Sequence, residues 1–343
     1  MRAPIISLLL FSLFATLPQT STQQTLHSGE DSNLRGISSS HANDQTILYG
    51  TGSNGTILRS PNSGKSWSRL HIDDADFADF RGVQSFGADI AYVFSVGNDN
   101  KSHIYKTSDA GKTWRTQYSD SRPAFFLDGL VCRTEKDCFA ISDPIDNKFP
   151  ILHTDDGEHW TELPKATQPT ALPTEGVFAA SNSSLILCGP NKSDIFFATG
   201  GPAARVFHSA DNARTWTVAN TLILHGTASA GIFSIACSGQ TIVAVGGDYK
   251  NPSVPQTSIL YSNDFGVTWT SPKKSTEQFR SAVTALDSNT WIAVGATGAD
   301  ISTDSGAHWL SLNHENANAI LAISNNRAIT AGPKATITQL NLP

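Results

Sequence analysis

Short runs of alternating apolar and polar residues, divided by Gly-, Asn- and Asp-rich turns, make up most of the chain. IAYVFSVG (90–97) is followed by a loop, then by HIYKT (103–107), a turn, and KTWRTQY (112–118). A period of two is the mark of strands with one face on a core. Runs this short, with turn residues at close intervals, predict an all-β protein built from antiparallel sheets.

The pattern repeats along the chain. Six copies of one turn occur: SPNSGKSW (60–67), TSDAGKTW (107–114), HTDDGEHW (153–160), SADNARTW (209–216), SNDFGVTW (262–269) and STDSGAHW (302–309). Their closing residues, Trp67, Trp114, Trp160, Trp216, Trp269 and Trp309, recur at intervals of 40 to 56 residues. Asn62, Asp109, Asp155, Asp211, Asp264 and Asp304 take the third position of the eight-residue copies. A short carboxylate or amide there accepts backbone N–H bonds in a tight turn, Gly supplies a positive φ, and Trp starts the next strand with a large ring to bury. Asn62 for Asp and Ala213 for Gly are exchanges that turn geometry tolerates and a catalytic group would not.

A second phase precedes the turns: LRGI (34–37), FRGV (80–83), LDGL (127–130), TEGV (174–177), SAGI (229–232), FRSAV (279–283) and ANAI (317–320). With the strands that follow, each unit has four strands, the unit of a propeller blade. Blades are expected to begin near residues 34, 80, 127, 175, 230, 279 and 317. The last runs out of chain one strand short, and TQQTLHS (22–28) is the segment expected to supply it, removing the open edge. The prediction is a single seven-bladed β-propeller over residues 22–343.

At 343 residues and 39% hydrophobic content the chain can bury a sizeable core. A net charge of -6 excludes the concentrated basic surface that nucleic acid requires. Residues 1–21 read as a secretory leader: Arg2, then an uncharged apolar run from Ile5 to Leu17, shorter than the roughly 18–20 residues of a membrane span. An exported, periplasmic or extracellular monomer with no retained span follows. Cys132 and Cys138 flank RTEKD, a spacing that permits a disulfide across a hairpin. Cys188 and Cys237 read either as a bridge between adjacent blades or as small buried residues.

In a four-stranded blade, turns after the first and third strands lie on one face and those after the second and fourth on the other. The Trp turns therefore share one face. The opposite face collects the blade entrances and the second-to-third loops, taken here as 97–103, 142–149, 189–205 and 246–258. Arg35, Arg81, Asp128, Asp143, Glu175, Arg205, Asp248, Tyr249 and Arg280 fall on that mouth and form the candidate binding site for a protein partner, small ligand or glycan. No cofactor or metal is expected: GTGSNG (50–55) opens no helix and reads as a hairpin loop, and no His or Cys spacing suits zinc. No catalytic residue is assigned.

The Trp turns match the Asp-box (bacterial neuraminidase) repeat. Their pairing with Arg-Gly-Val entrances resembles the photosystem II stability/assembly factor family of propellers over roughly residues 34–342. SDPIDNKF, ATGGPAARVFHS, AGIFSIA and VGGDYKNP resemble an exported bacterial branch of that family, often labelled oxidoreductase-like. The resemblance implies a non-enzymatic role in which arginines at the blade starts, here Arg35, Arg81 and Arg280, engage a partner. A binding or assembly scaffold is the first reading. A glycoside hydrolase is the second, since Asp128, Asp143, Asp146, Glu175 and Asp248 offer carboxylate pairs across the mouth; its sialidase form would draw on Arg35, Arg81, Arg205, Arg280 and Tyr249. A redox enzyme is the third.

Overall fold

The computed structural model describes residues 21–312 and 315–342. The expected leader, apart from residue 21, lies outside the described residues. Seven four-stranded antiparallel sheets surround a central axis. Their innermost strands are Leu34–Ala42, Asp79–Phe86, Leu127–Cys132, Leu185–Cys188, Thr227–Ser238, Ala282–Ala285 and Ala319–Ser324, which begin blades 1 to 7. Each innermost strand touches the next, and that of blade 7 touches that of blade 1, so the ring is closed. Thr22–His27 pairs antiparallel with Ile337–Asn341 and completes blade 7 from the opposite end of the chain, as expected.

The core lies between blades. Ile47, Tyr49 and Ile57 of blade 1 interdigitate with Phe80, Val93 and Tyr105 of blade 2, and similar clusters recur around the ring. The Trp turns hold the outer edge. In the second, Asp109 Oδ1 accepts the Thr113 N–H at 2.9 Å and Oδ2 accepts its hydroxyl at 2.6 Å, while Thr107 Oγ1 accepts the Gly111 N–H at 2.9 Å. Asp211 with Thr215 and Asp264 with Thr268 repeat this arrangement. These bonds to the ionised form hold Asp109, Asp211 and Asp264 down to about 2. His308 substitutes its ring Nδ1 for the Thr hydroxyl on Asp304, at 2.6 Å.

The third turn departs from the eight-residue alignment. Asp156, not Asp155, accepts the Glu158 and His159 N–H groups, at 2.7 and 2.8 Å. The other five turns carry a left-handed residue before the Gly position: Ser63, Ala110, Asn212, Phe265 and Ser305. The third lacks it, so the carboxylate directly precedes Gly157. Counting back from Trp160 therefore lands one residue early. Ala213 adopts φ 59°, the left-handed conformation that its missing glycine would have supplied.

Blade 4 also departs from expectation. Its first strand is Leu185–Cys188, ten residues beyond the TEGV entrance, and Asp194–Ala198 is its second strand. The stretch 189–205 is thus not one loop. Residues 189–193 form the first turn, and the second-to-third loop sends Gly200–Gly201 to pair with the inner strand of blade 5. Blade 5 in turn keeps only a single bridge, Tyr261 to Thr270, where a fourth strand stands in the other blades. Cys132–Cys138 closes the blade 3 hairpin, and Cys188–Cys237 ties blade 4 to blade 5.

Candidate functional site

The ten residues displaced from blade 4 form a strap across the centre of the ring. The Val177 N–H donates to Asp143 Oδ1 of blade 3 at 3.0 Å, and Ala179 O accepts Arg81 Nη1 of blade 2 at 2.8 Å. Asn182 Oδ1 accepts the Leu130 N–H of blade 3 at 2.8 Å. Ser181 Oγ donates to Ser281 O of blade 6 at 3.0 Å, and Ser183 Oγ to Ser234 Oγ of blade 5 at 2.7 Å. Gly82 admits the strap: a Cβ there would stand 2.6 Å from Asn182. The strap is the floor of a cavity of about 950 Å³ on the face of the blade entrances, as the alternation of turns required.

Blades 1 to 3 supply one wall. Arg35 and Arg81 stand together at its edge. Arg81 is fixed by Nε and Nη2 bonds of 2.8 and 2.6 Å to Asp79 Oδ2. Half-buried Arg35 has no hydrogen bond or ion pair among the described residues. Burial, and then the charge of Arg81, push its guanidinium down to about 10, so it remains a cation at neutral pH. Asp128 is buried, and its Oδ2 has no hydrogen-bond partner among the described residues. Burial, with the nearby charge of Asp143, raises Asp128 well above the usual carboxylate range; burial pushes Asp143 up to about 6.

Blades 4 to 6 supply an aromatic wall. Phe178 of the strap stacks on Phe233 with ring centres 3.8 Å apart, and Phe279 meets Phe233 edge-on at 4.9 Å. Tyr249, half exposed, extends this wall outward at 6.0 Å from Phe233.

Besides Arg81, held by Asp79, four of the nine charged or aromatic candidates do not face the cavity as free groups. Arg280 is 1% exposed and points into blade 6, where Asp300 receives its Nε at 2.8 Å. The entrances explain this. In blade 2, Phe80 is buried and Arg81 faces the mouth, whereas in blade 6, Phe279 faces the mouth and Arg280 is buried. A slip of one residue along a strand exchanges its faces. Glu175 and Arg205 neutralise each other in a buried two-pronged pair, with Thr199 Oγ1 also donating to Glu175 at 2.6 Å. Asp248 caps its own loop through the Lys250 N–H and Asn251 Nδ2. Asp146 is exposed and paired with Lys165. Arg35, Arg81, Asp128, Asp143 and Tyr249 are brought together. The sequence reading missed Asp79 and the aromatic wall. Asp79 carried a signal, standing two residues before Arg81 on one strand face.

The two raised carboxyls make stability fall with pH. Unfolded, both are ionised above about pH 4; folded, Asp143 keeps its proton to about 6, and burial likewise holds Asp128 above the usual carboxylate range. Between these limits the folded state binds more protons, so stability declines as pH rises. Thermal unfolding should occur at higher temperature at pH 5 than at pH 7.5, and Asp143→Asn should reduce that difference. An equal difference in the variant would contradict the assignment.

The closed ring of seven four-stranded blades with a blind central cavity defines the protein as a β-propeller. The chain belongs to the family described as DUF6242 beta propeller domain, which matches residues 21–320. In fold it is similar to YCF48 from Cyanidioschyzon merolae, with TM-score 0.65 and 13% identity, covering 93% of this chain and 98% of that one. It is likewise similar to a structure titled YCF48 bound to D1 peptide, with TM-score 0.64, 14% identity, and 93% and 96% coverage. Both likenesses are of fold. A GH74 xyloglucanase from Xanthomonas campestris matches with TM-score 0.58 and 14% identity over 92% of this chain and 53% of its own. Among curated proteins, Vacuolar protein sorting/targeting protein 10 of Colletotrichum graminicola is 30% identical over 86 residues, 25% of this chain and 5% of that protein. The chain thus spans a small fraction of that relative's length.

Proposed function

We propose that this protein is an exported, non-catalytic binding scaffold whose mouth holds a segment of a protein partner. One observation carries the reading: Arg35, a half-buried cation with no ion-pair partner among the described residues, lines a blind cavity large enough for several residues of peptide. A half-buried cation beside a second arginine, offset here only by the longer-range charge of Asp79, is stabilised when a further anion joins it. The structure titled YCF48 bound to D1 peptide supports the reading as a fold able to hold a peptide.

The second reading, a glycoside hydrolase, has one observation in its favour. Asp128 and Asp143 line the same wall, close enough for the Asp143 charge to act on Asp128, and burial raises both, as suits a carboxyl that serves as an acid.

One experiment separates them. Tagged wild type and Arg35→Glu are used to capture from an envelope extract, and both retained protein and released sugar are analysed. The scaffold reading expects a protein retained by wild type and lost by the variant, with unchanged melting temperature. Release of a sugar by wild type, abolished in Asp128→Asn, would put the hydrolase first. Equal capture by wild type and Arg35→Glu would refute the role of the mouth.

A further inference from the structure

Resting on the binding reading above, we propose that the mouth recognises two neighbouring residues of an extended segment: a large apolar side chain on the aromatic wall and an acidic side chain on Arg35.

The order of the blades divides the cavity. Arg35, Arg81, Asp128 and Asp143 come from blades 1 to 3, with Phe126 the one lining aromatic beside them, while Phe178, Phe233, Tyr249 and Phe279 come from blades 4 to 6. Because consecutive blades are neighbours in a closed ring, the charged and aromatic groups occupy opposite sides of one mouth. The charged side is specific in sign. Arg81 is answered by Asp79 and the Asp143 carboxylate accepts the Val177 N–H, while Arg35, on which Asp79 acts only at longer range, has no hydrogen bond or ion pair among the described residues. An anion is therefore the complementary group.

The opposite side is specific in character. Phe233 is covered by Phe178 and Phe279, yet the wall continues to Tyr249, 49% exposed and lining the cavity. Exposed apolar surface continuous with a cavity marks a place where another apolar group is seated. An extended chain meets both sides at once, because its successive side chains point in opposite directions. Adjacent residues, one apolar and one acidic, match the two walls without a turn in the partner.

The test uses four fluorescent decapeptides of Gly and Ser that differ only at two central positions: Phe-Glu, Ala-Glu, Phe-Gln and Phe-Lys. Affinities are read by fluorescence anisotropy for wild type, Arg35→Gln, Tyr249→Ala and Phe233→Leu. Wild type should bind the Phe-Glu peptide at least about tenfold more tightly than each of the others. Arg35→Gln should erase the preference for Glu over Gln and keep that for Phe over Ala. Tyr249→Ala should do the reverse, and because Tyr249 is half exposed this arm stands even where Phe233→Leu does not fold. Equal binding of all four peptides by wild type would overturn the two-sided assignment and leave the scaffold reading intact. Preferences that persist in both Arg35→Gln and Tyr249→Ala would place recognition elsewhere and overturn it too. If no peptide binds while capture from extract still depends on Arg35, this inference fails alone; if Arg35-dependent capture is also absent, both fail.

Discussion

Arg280→Met should lower the free energy of unfolding by about 3–5 kcal/mol. The guanidinium is 1% exposed, with Nε and Nη2 both 2.8 Å from Asp300 Oδ2, and Nη1 2.8 Å from both Phe279 O and Thr297 Oγ1. Asp300 is fully buried, and among the described residues its side chain is met besides only by Thr276 Oγ1, at 2.7 Å. Removing the cation leaves a carboxylate desolvated without its counter-charge, which is costlier than losing the pair altogether. Arg280→Met/Asp300→Leu should therefore recover most of the loss. Urea denaturation followed by tryptophan fluorescence reads both. A loss in the single variant under about 1 kcal/mol, as for an exposed pair, would contradict the burial of this residue. The entrance arginines of blades 2 and 6 thus have different roles: one lines the mouth, the other holds a blade together.

Trp309→Ala should cost a similar amount, about 3–5 kcal/mol, and more than the same change at Trp114. Trp309 is fully buried with Trp291, Val243 and Ile259 between blades 5 and 6, and its Nε1 donates to Gly306 O at 2.9 Å. Trp114 is only partly buried, and its indole N–H has no hydrogen-bond partner among the described residues. Less packing and no lost hydrogen bond make its removal cheaper. The same denaturation series compares the two, and a Trp114→Ala loss equal to that of Trp309→Ala would contradict the packing described. The turns are one local structure whose rings differ in burial: Trp160 and Trp309 are buried, while Trp67, Trp114, Trp216 and Trp269 are partly exposed.

The propeller was legible because its determinants are local and repeated. A turn of Asp, Gly and Trp has the same geometry wherever it stands, and seven entrances with six such turns leave little choice of architecture. Even the closing strand could be placed, because a missing partner for Ile337–Asn341 is visible from a count of strands. Features of single occurrence were not legible. The TEGV entrance of blade 4 looks like the other six, and only contacts with blades 2, 3, 5 and 6 show that the residues after it cross the ring instead of entering a sheet. The same limit applies to the site. Whether Arg81 or Phe80, Arg280 or Phe279, faces the axis depends on the register at one strand, which FRGV and FRSAV do not distinguish. Glu175 and Arg205, 30 residues apart, carry no sign in the sequence that they neutralise one another.

The claim that the mouth is the partner-binding face is tested most directly by photo-crosslinking in an envelope extract. A crosslinking amino acid is placed at Tyr249, half exposed on the mouth, or at Val267, 73% exposed in a Trp turn on the opposite face. The account predicts a discrete crosslinked protein from position 249, lost when Arg35 is changed to Glu, and none from position 267. A partner captured from position 267 and not from 249 would contradict it.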